Sequence, residues 1–276
     1  MIEKKNLLLR TGTYILLLLV TLVTLLPLIW MLSASLKHDT EVFSVPIRWI
    51  PRDPVWGNYS KIWDKINFKQ FTFNSFKLSL IITFIQVITS SFAAYGFAKC
   101  HFRGRDTLFF VYIATIAIPW QVYMLPQYIE IRILHLIDTH LGYVLMHSFI
   151  AFGVFLIRQF YVSIPDELLD AARIDGLNEY GAYFHIVLPL SKPVIATLSI
   201  FSFVGIWNDF MGPMIYFDSM RNKTIPLGIR MFLGQYATEY GLIMASSVVS
   251  LIPVFIVFLG FQRFFIEGIA TSGMKG

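Results

Sequence analysis

The residues best suited to a specific interaction lie in a polar stretch, Asp166–Pro193, between two long apolar runs. Carboxylates recur along its first part: Asp166, Glu167, Asp170, Asp175 and Glu179. Carboxylates at such spacing form charge-assisted hydrogen bonds with lysine and arginine side chains on a partner surface. The sequence has neither a phosphate-binding glycine loop with its lysine nor a Gly-x-Ser-x-Gly nucleophile elbow. The chemistry expected here is therefore recognition of a partner.

The same stretch predicts a short helix. Ser163 can cap it, Pro165 and Asp166 suit its first turn, and Gly176 suits the left-handed residue that ends it. Four residues share one helical face: Leu168, Ala171, Ala172 and Asp175. The two alanines would leave that face flat enough for another surface to approach closely. From residue types alone, the alternative is an ordinary solvated loop with one helical turn.

Membrane helices must hold this stretch in place. The 276 residues are 56% hydrophobic and only 14% charged, with a mean hydropathy of +0.65. Soluble domains carry about 25% charged residues, and a helix needs about 20 apolar residues to cross a bilayer. Six near-continuous apolar runs meet that length: 14–32, 76–98, 108–128, 141–157, 194–217 and 240–261. We therefore predict an all-α polytopic protein with one membrane domain over residues 1–276 and a polar loop at about 161–193.

Basic residues indicate the orientation. The short loop after the second run holds Lys99, Arg103 and Arg105, whereas the compact segment 130–140 holds only Arg132. Short loops rich in lysine and arginine stay in the cytoplasm, so both termini are predicted to be cytoplasmic. The same rule accounts for the net charge of +5 without a nucleic-acid partner.

Two features of the sequence have simple interpretations. The first apolar run, at about 19 residues, exceeds the usual core of a cleavable signal peptide, so we expect it to be retained as a span. The single cysteine, Cys100, excludes an internal disulfide.

A few polar or kink-forming residues fall inside the apolar runs. Proline kinks helices and frees carbonyls, so Trp120 and Gln121, which follow Pro119, are candidates for lining a path. Asn208 and Asp209 are further candidates, because a carboxylate at membrane depth is costly and commonly functional. The alternative for all four residues is helix packing.

One motif in the polar stretch resembles a known family. Asp170-Ala171-Ala172, then Gly176, then Ile186-x-Leu188-Pro189 is similar to the EAA loop of binding-protein-dependent ABC importer permeases. The family's leading glutamate is Asp170 here, which keeps the charge but shortens the side chain. Three flanking segments resemble the maltose-type carbohydrate permeases, and with them the resemblance covers nearly the whole chain: Ile164–Leu168, Phe203–Phe210 and Gln262–Gly268.

The resemblance implies a fold, partners and a role. The fold would be the type I ABC importer transmembrane fold, in the cytoplasmic membrane of a bacterium. The chain would form half of a pore with a homologous second permease, dock onto an ABC ATPase dimer, and receive a sugar or oligosaccharide from an extracytoplasmic solute-binding protein. It would be a non-enzymatic subunit without cofactor or metal, since the ATPase would bind ATP and Mg²⁺. The residues implied in ATPase coupling are Asp170, Ala171, Ala172, Asp175, Gly176 and Pro189.

Two other classes of membrane protein are weaker alternatives. An ion-gradient-driven carrier of small polar solutes commonly places paired ionisable residues near the midplane. The apolar runs hold Gln86, Asn208 and Asp209 but no evident acid–base pair. A polytopic membrane enzyme would need clustered catalytic side chains at a span boundary, and none is apparent.

Overall fold

The computed structural model of the chain describes residues 2–234 and 238–273, and for 2–9 and 264–273 it describes the backbone alone. Within these ranges the regular structure is helical, and no β-strand forms. The first seven helices are α1 (Ile2–Ser35), α2 (Asp39–Val42), α3 (Gly57–Lys65), α4 (Phe68–Lys99), α5 (Arg105–Ala114), α6 (Trp120–Ile133) and α7 (His140–Met146). The remaining helices are α8 (Ala151–Val162), α9 (Asp166–Ile174), α10 (Glu179–Ala182), α11 (Leu188–Leu190), α12 (Lys192–Trp207), α13 (Met211–Tyr216), α14 (Ile225–Arg230) and α15 (Tyr240–Gly273). The predicted segment Gln262–Gly268 lies in α15, but its side chains beyond Arg263 are outside the described residues.

Three helices are long and apolar enough to cross a membrane as continuous spans: Arg10–Ser35 of α1, all of α4, and Tyr240–Arg263 of α15. Three further candidates are bent pairs, with 100° between Arg105–Ala117 and α6, 46° between α7 and α8, and 76° between Glu179–Leu190 and α12. The number of candidate spans is six if each pair counts as one span. The runs predicted at 108–128 and 141–157 are thus broken rather than straight helices, whereas the 76° bend lies before the run predicted at 194–217.

Proline accounts for two of the three breaks. Pro119 has an extended backbone (ψ 140°) immediately before α6, because it cannot donate the backbone hydrogen bond that would continue the preceding helix. Pro193 lies in the first turn of α12, where its missing N–H is not needed. The predicted run 194–217 also extends too far as one helix, since α12 ends at Trp207 and α13 starts only at Met211.

The chain divides into two compact units. The first comprises the described residues of Met1–Phe68 and Gly228–Ile252. Inside it, the Asn58 amide donates hydrogen bonds to the carbonyls of Ser35 (2.9 Å) and Lys37 (3.1 Å), which joins α3 to the end of α1.

The second unit comprises Lys69–Leu227 and the described residues from Pro253 onward. It holds two apolar clusters around α4. One cluster, which includes Ala94, Tyr161 and Leu198, packs α4 against α8, α9 and α12. The other, which includes Leu78 and Tyr143, packs α4 against α7 and α13. Both candidate sites described below lie in this unit.

Candidate functional site

Helix α9 and its flanks contain most of the acidic motif. Gly176 has a left-handed backbone (φ 87°), and the N–H of Leu177 donates to the Ala172 carbonyl at 2.9 Å, so the predicted glycine stop is confirmed. The predicted cap by Ser163 is wrong. Its hydroxyl donates to the Phe160 carbonyl (2.7 Å) at the end of α8, and Pro165 precedes α9 without a side-chain cap.

The predicted flat alanine face is also wrong in part. Ala172 is only 3% exposed and lies beside Leu169 in the protein's own core, whereas Leu168, Ala171 and Asp175 are exposed. The reason is that Leu169 and Ala172, three residues apart, form the narrow apolar stripe by which α9 packs on its own unit. The accessible part of α9 instead presents Leu168, Ala171, the carboxylates and Ile174, whose exposure is 86%.

Lys99, the last residue of α4, holds the start of α9. Its side chain is 3% exposed, and its Nζ donates to the carboxylate of Asp166 and to the carbonyl of Ile164, both at 2.6 Å. The hydrogen bond and positive charge from Lys99 lower the pKa of Asp166. Sequence reasoning used Lys99 only for orientation. The sequence offered one signal for this pair: Lys99 directly follows one apolar run, and Asp166 begins the later polar stretch.

Arg173 holds the other end of α9. It donates to the Asp170 carboxylate (2.8 Å) and to the Glu179 carboxylate (3.0 Å), and the Tyr95 hydroxyl donates to Glu179 at 2.7 Å. Asp170, the first residue of the motif, is therefore exposed but already hydrogen-bonded within α9. The segment after it is tied to α4 through Tyr95.

A hydroxyl network lies beneath this helix. The Ser91 hydroxyl of α4 contacts the hydroxyls of Tyr161 (2.6 Å) and Tyr183 (2.7 Å), which belong to α8 and to the π turn after α10. The network therefore joins α4 to α8 and to the turn that follows α10.

The last residues of the motif differ in how far they are exposed to solvent. Ile186 and Leu188 pack against the same apolar cluster as Ala172, while Pro189 is exposed in α11. Of the six residues predicted for coupling, the structure places Asp170, Ala171, Asp175, Gly176 and Pro189 at the surface and Ala172 in the core.

The predicted path residues separate into two groups. Asp209 accepts from the Tyr143 hydroxyl (2.6 Å) and the Gly212 N–H (3.1 Å), in the turn between α12 and α13. Trp120 packs against the same apolar cluster as Tyr143 and donates to the Gln127 side chain at 2.9 Å. The other two residues are exposed and take no part in this cluster: Gln121 and Asn208.

Sequence reasoning did not place His147 beside Asp209, nor Gln86 against the backbone of His147. His147 Nε2 lies 3.8 Å from Asp209 Oδ2, and the amide of Gln86 donates to the His147 carbonyl at 2.7 Å. A histidine and a glutamine inside apolar runs were the only signal. Throughout residues 2–234 and 238–273, no group of three or more His, Cys, Asp or Glu side chains is placed to hold a metal ion.

Known proteins resemble the chain over nearly its whole length. Residues 86–270 match the family described as "Binding-protein-dependent transport system inner membrane component". The arabinooligosaccharides transport system permease protein AraQ of Bacillus subtilis (strain 168) is 34% identical over 272 residues, which cover 97% of this chain and 96% of AraQ. The sn-glycerol-3-phosphate transport system permease protein UgpE of Yersinia enterocolitica is 33% identical, covering 94% and 95%. The sulfoquinovosyl glycerol transport system permease protein SmoH of Agrobacterium fabrum is 32% identical, covering 91% and 89%.

A solved structure agrees with the fold. A chain of a bacterial ABC transporter involved in the import of the acidic polysaccharide alginate superposes with a TM-score of 0.81, covering 95% of this chain and 98% of that chain at 22% identity. The all-α membrane fold predicted from the sequence is thereby confirmed. These matches give no support to the ion-gradient carrier.

Proposed function

The chain belongs to the family of binding-protein-dependent transport system inner membrane components, and we propose that it serves a sugar or oligosaccharide importer by transmitting ATPase movement through α9. Members of this family are non-catalytic permease subunits of ABC importers. The named relatives move arabino-oligosaccharides, sn-glycerol-3-phosphate and a sulfoquinovosyl glycerol. All three solutes carry at least two alcohol hydroxyl groups, which supports a polyhydroxylated substrate.

The proposed assembly has four kinds of partner. A homologous permease completes the pore, an ABC ATPase dimer binds ATP and Mg²⁺, a solute-binding protein delivers the sugar, and bacterial inner-membrane lipid surrounds the spans. Both termini and the loop 161–193 face the cytoplasm. The Lys99–Asp166 pair supports this arrangement, because it brings the basic loop that starts after α4 to the same end of the unit as α9.

The observation that carries the coupling role is an exposed apolar tip on a fixed polar helix. Ile174 is 86% exposed, although α9 is held at its start by Lys99 and at its end by Arg173. A nine-residue helix would not persist alone in water, so these contacts make it a rigid element. Large exposed apolar side chains ringed by charges are typical of docking sites.

The mechanism that follows is mechanical. Closure of the ATPase dimer displaces α9, the Lys99–Asp166 contact and the packing of Leu169 and Ala172 pass the displacement to α4, and the Ser91–Tyr161 bond joins α4 to α8. Helices packed in this way move as rigid bodies between discrete arrangements, so the pore alternates between its two openings. Coupling is assigned to Asp170, Ala171, Asp175, Gly176 and Pro189 at the surface, with Ala172 supporting them from the core.

Cysteine crosslinking of the assembled complex tests the docking surface. In a Cys100→Ser background, Ile174→Cys should crosslink to the ATPase through a short bifunctional maleimide. Leu134→Cys, which is also exposed but lies in the turn after α6, is the matched control and should give no such product. Equal crosslinking from both positions, or none from Ile174→Cys, would contradict docking through α9.

Uptake in proteoliposomes tests the importer assignment. The chain reconstituted with its second permease, ATPase and binding protein should accumulate sugar only when ATP is supplied, and mass spectrometry of the accumulated solute identifies that sugar. Accumulation driven by an ion gradient without ATP would overturn the assignment.

A further inference from the structure

A polar cluster lies about midway along α4. Lys77 Nζ contacts His140 Nδ1 (2.6 Å) nine residues after the start of the helix, and Lys99 contacts Asp166 at its end. These lysines are about 33 Å apart along the helix axis, close to the thickness of a bilayer core. Gln86, which donates to the His147 carbonyl, lies about 14 Å from the level of Lys77. The cluster around His147 is therefore near the middle of the membrane.

Two helix breaks meet at this level. The break after α7 exposes the carbonyls of His147 and Ser148, which accept from Gln86 (2.7 Å) and from the Thr89 hydroxyl (3.0 Å). The break after α12 carries Asp209, whose carboxylate is bound by the Tyr143 hydroxyl. In membrane transporters, irregular backbone at this depth commonly lines a solute site.

The packing around Asp209 is close. A Cβ atom at Gly212 would lie 2.4 Å from Asp209 Oδ2 and 2.9 Å from the Tyr143 ring. The imidazole of His147 packs on that ring, with centroids 4.2 Å apart. The carboxylate and the imidazole are thus held in fixed positions.

The hydrogen bonds determine what these two groups offer a ligand. His147 Nδ1 lies 2.9 Å from the Tyr143 carbonyl, and a carbonyl only accepts, so Nδ1 carries the proton. In the neutral ring, Nε2 is then an acceptor. His147 Nε2 lies 3.8 Å from Asp209 Oδ2, a separation beyond hydrogen-bond distance. Asp209 Oδ2 is also an acceptor.

The two side chains that carry these acceptors remain partly accessible. The side chain of His147 is 21% exposed and that of Asp209 is 23% exposed. A carboxylate has room for about four hydrogen bonds, whereas Asp209 receives one from Tyr143 and one from the Gly212 N–H. Two adjacent acceptors at membrane depth require a ligand with hydrogen-bond donors, and neighbouring hydroxyl groups of a sugar supply such donors at this spacing.

We propose that Asp209 Oδ2 and His147 Nε2 form a sugar-hydroxyl subsite at the middle of the translocation path, with Tyr143 as the residue that positions Asp209. This inference rests on the proposed importer function. It adds to that function a specific recognition site in this subunit. Gln86 and Thr89 hold the backbone that presents His147 and do not contact the sugar.

The test compares the transported sugar with its deoxy analogues in the reconstituted complete importer, at saturating binding protein. Wild type should transport the analogue that lacks the recognised hydroxyl about tenfold more slowly than the parent sugar, the usual effect of one charge-assisted hydrogen bond. Asp209→Asn and His147→Gln should transport the parent sugar about tenfold more slowly. In each variant, the difference between parent and analogue should disappear for the analogue that lacks the hydroxyl bound by the substituted residue.

Matched measurements exclude a merely structural effect. Met214→Leu, on the exposed face of α13, should behave as wild type. ATP hydrolysis stimulated by the binding protein should stay within about twofold in every variant, since the subsite does not contact the ATPase. Tyr143→Phe should weaken the discrimination without abolishing it, because it frees the Asp209 carboxylate but leaves it in place.

Three outcomes would overturn the subsite. In the first, Asp209→Asn still transports every deoxy analogue more slowly than the parent sugar by the same factor as wild type. In the second, the variants transport the parent sugar and all analogues more slowly by one equal factor. The third is a pH dependence of uptake that His147→Gln abolishes while discrimination persists, because the site would then hold a proton. Any of these results with ATP-driven sugar uptake intact leaves the importer assignment standing, whereas uptake without ATP contradicts the importer itself.

Discussion

At the scale of single residues, Lys99 is the side chain on which the position of α9 depends most. It is a nearly fully buried cation with two short hydrogen bonds, one to a carboxylate and one to the carbonyl of Ile164. Removing it leaves that carbonyl without its donor, at a cost of about 1–3 kcal/mol. The ion pair itself contributes less, since Asp166 is exposed and screened by water.

We therefore predict that Lys99→Met uncouples transport from ATP hydrolysis. The complex should still assemble, but sugar uptake per ATP should fall several-fold because the start of α9 is loosened. Asp166→Asn is the control: Lys99 keeps its bond to Ile164, so uptake per ATP should stay near that of wild type. A normal ratio in Lys99→Met, measured with radiolabelled sugar and phosphate release, would contradict the role of this anchor.

The pKa of Asp166 determines over which pH range the Lys99–Asp166 ion pair stabilises the fold. Pairing with Lys99 lowers this pKa, so the stabilisation is present above the carboxyl's unfolded value and disappears as pH falls through the folded value. Coupling should therefore not change with pH near neutrality through this pair.

Ala171 and Ala172 are neighbours with different roles. A larger side chain at the buried Ala172 overpacks the core, which costs about 1–3 kcal/mol. Ala171 is exposed and has room outside the helix. We predict that Ala172→Trp lowers the melting temperature of the purified permease, whereas Ala171→Trp leaves it unchanged and blocks copurification of the ATPase. Equal melting temperatures would mean that Ala172 is not packed as the structure has it.

At the scale of elements, the break between α7 and α8 depends on another helix. Residues 147–150 contain neither proline nor glycine, so nothing local requires the 46° bend. The freed carbonyls are bonded by Gln86 and Thr89 of α4, and an unbonded carbonyl in lipid would be costly.

We predict that the double variant Gln86→Leu, Thr89→Val weakens this break. With no donors for the two carbonyls, α7 and α8 should shift toward a straighter helix, and spin labels placed at Leu141 and Val162 should move apart. Thr197→Val is the control, since that hydroxyl bonds to the Pro193 carbonyl within its own helix, α12. An unchanged label distance in the double variant would show that the break is set by packing alone.

The sequence predicts the features that depend on local signals and misses those that depend on contacts with residues far away in the chain. Apolar run length predicts where spans lie, and the local signals Pro119 and Gly176 predict a kink and a helix end that the structure contains. The bend after α7 and the inward face of Ala172 arise from residues far away in sequence. Ser163 failed as a cap because α9 begins at Asp166, which puts Pro165 and not Ser163 at the N-cap position. The Tyr143–Asp209–His147 cluster combines side chains from two apolar runs, with Asp209 more than 50 residues away from the other two in the sequence, so only the folded chain brings it together.

At the scale of the whole molecule, labelling of the chain's single cysteine can determine its orientation in the membrane. Cys100 follows α4 directly, in the basic loop that Lys99 joins to α9. If α9 docks onto a cytoplasmic ATPase, Cys100 faces the cytoplasm. Burial raises the pKa of its thiol, so the reactive thiolate is scarcer at neutral pH than in a free cysteine.

We therefore predict that a membrane-impermeant maleimide labels Cys100 in inverted membrane vesicles but not in intact spheroplasts. Labelling should be slow at neutral pH and should accelerate as pH rises through the raised thiol pKa, because the thiolate is the nucleophile. Leu134→Cys in a Cys100→Ser background is the matched control for the opposite end and should label only in spheroplasts. Labelling of Cys100 from outside would place α9 away from any ATPase, and with it the proposed coupling would fail even though the family assignment and the fold would stand.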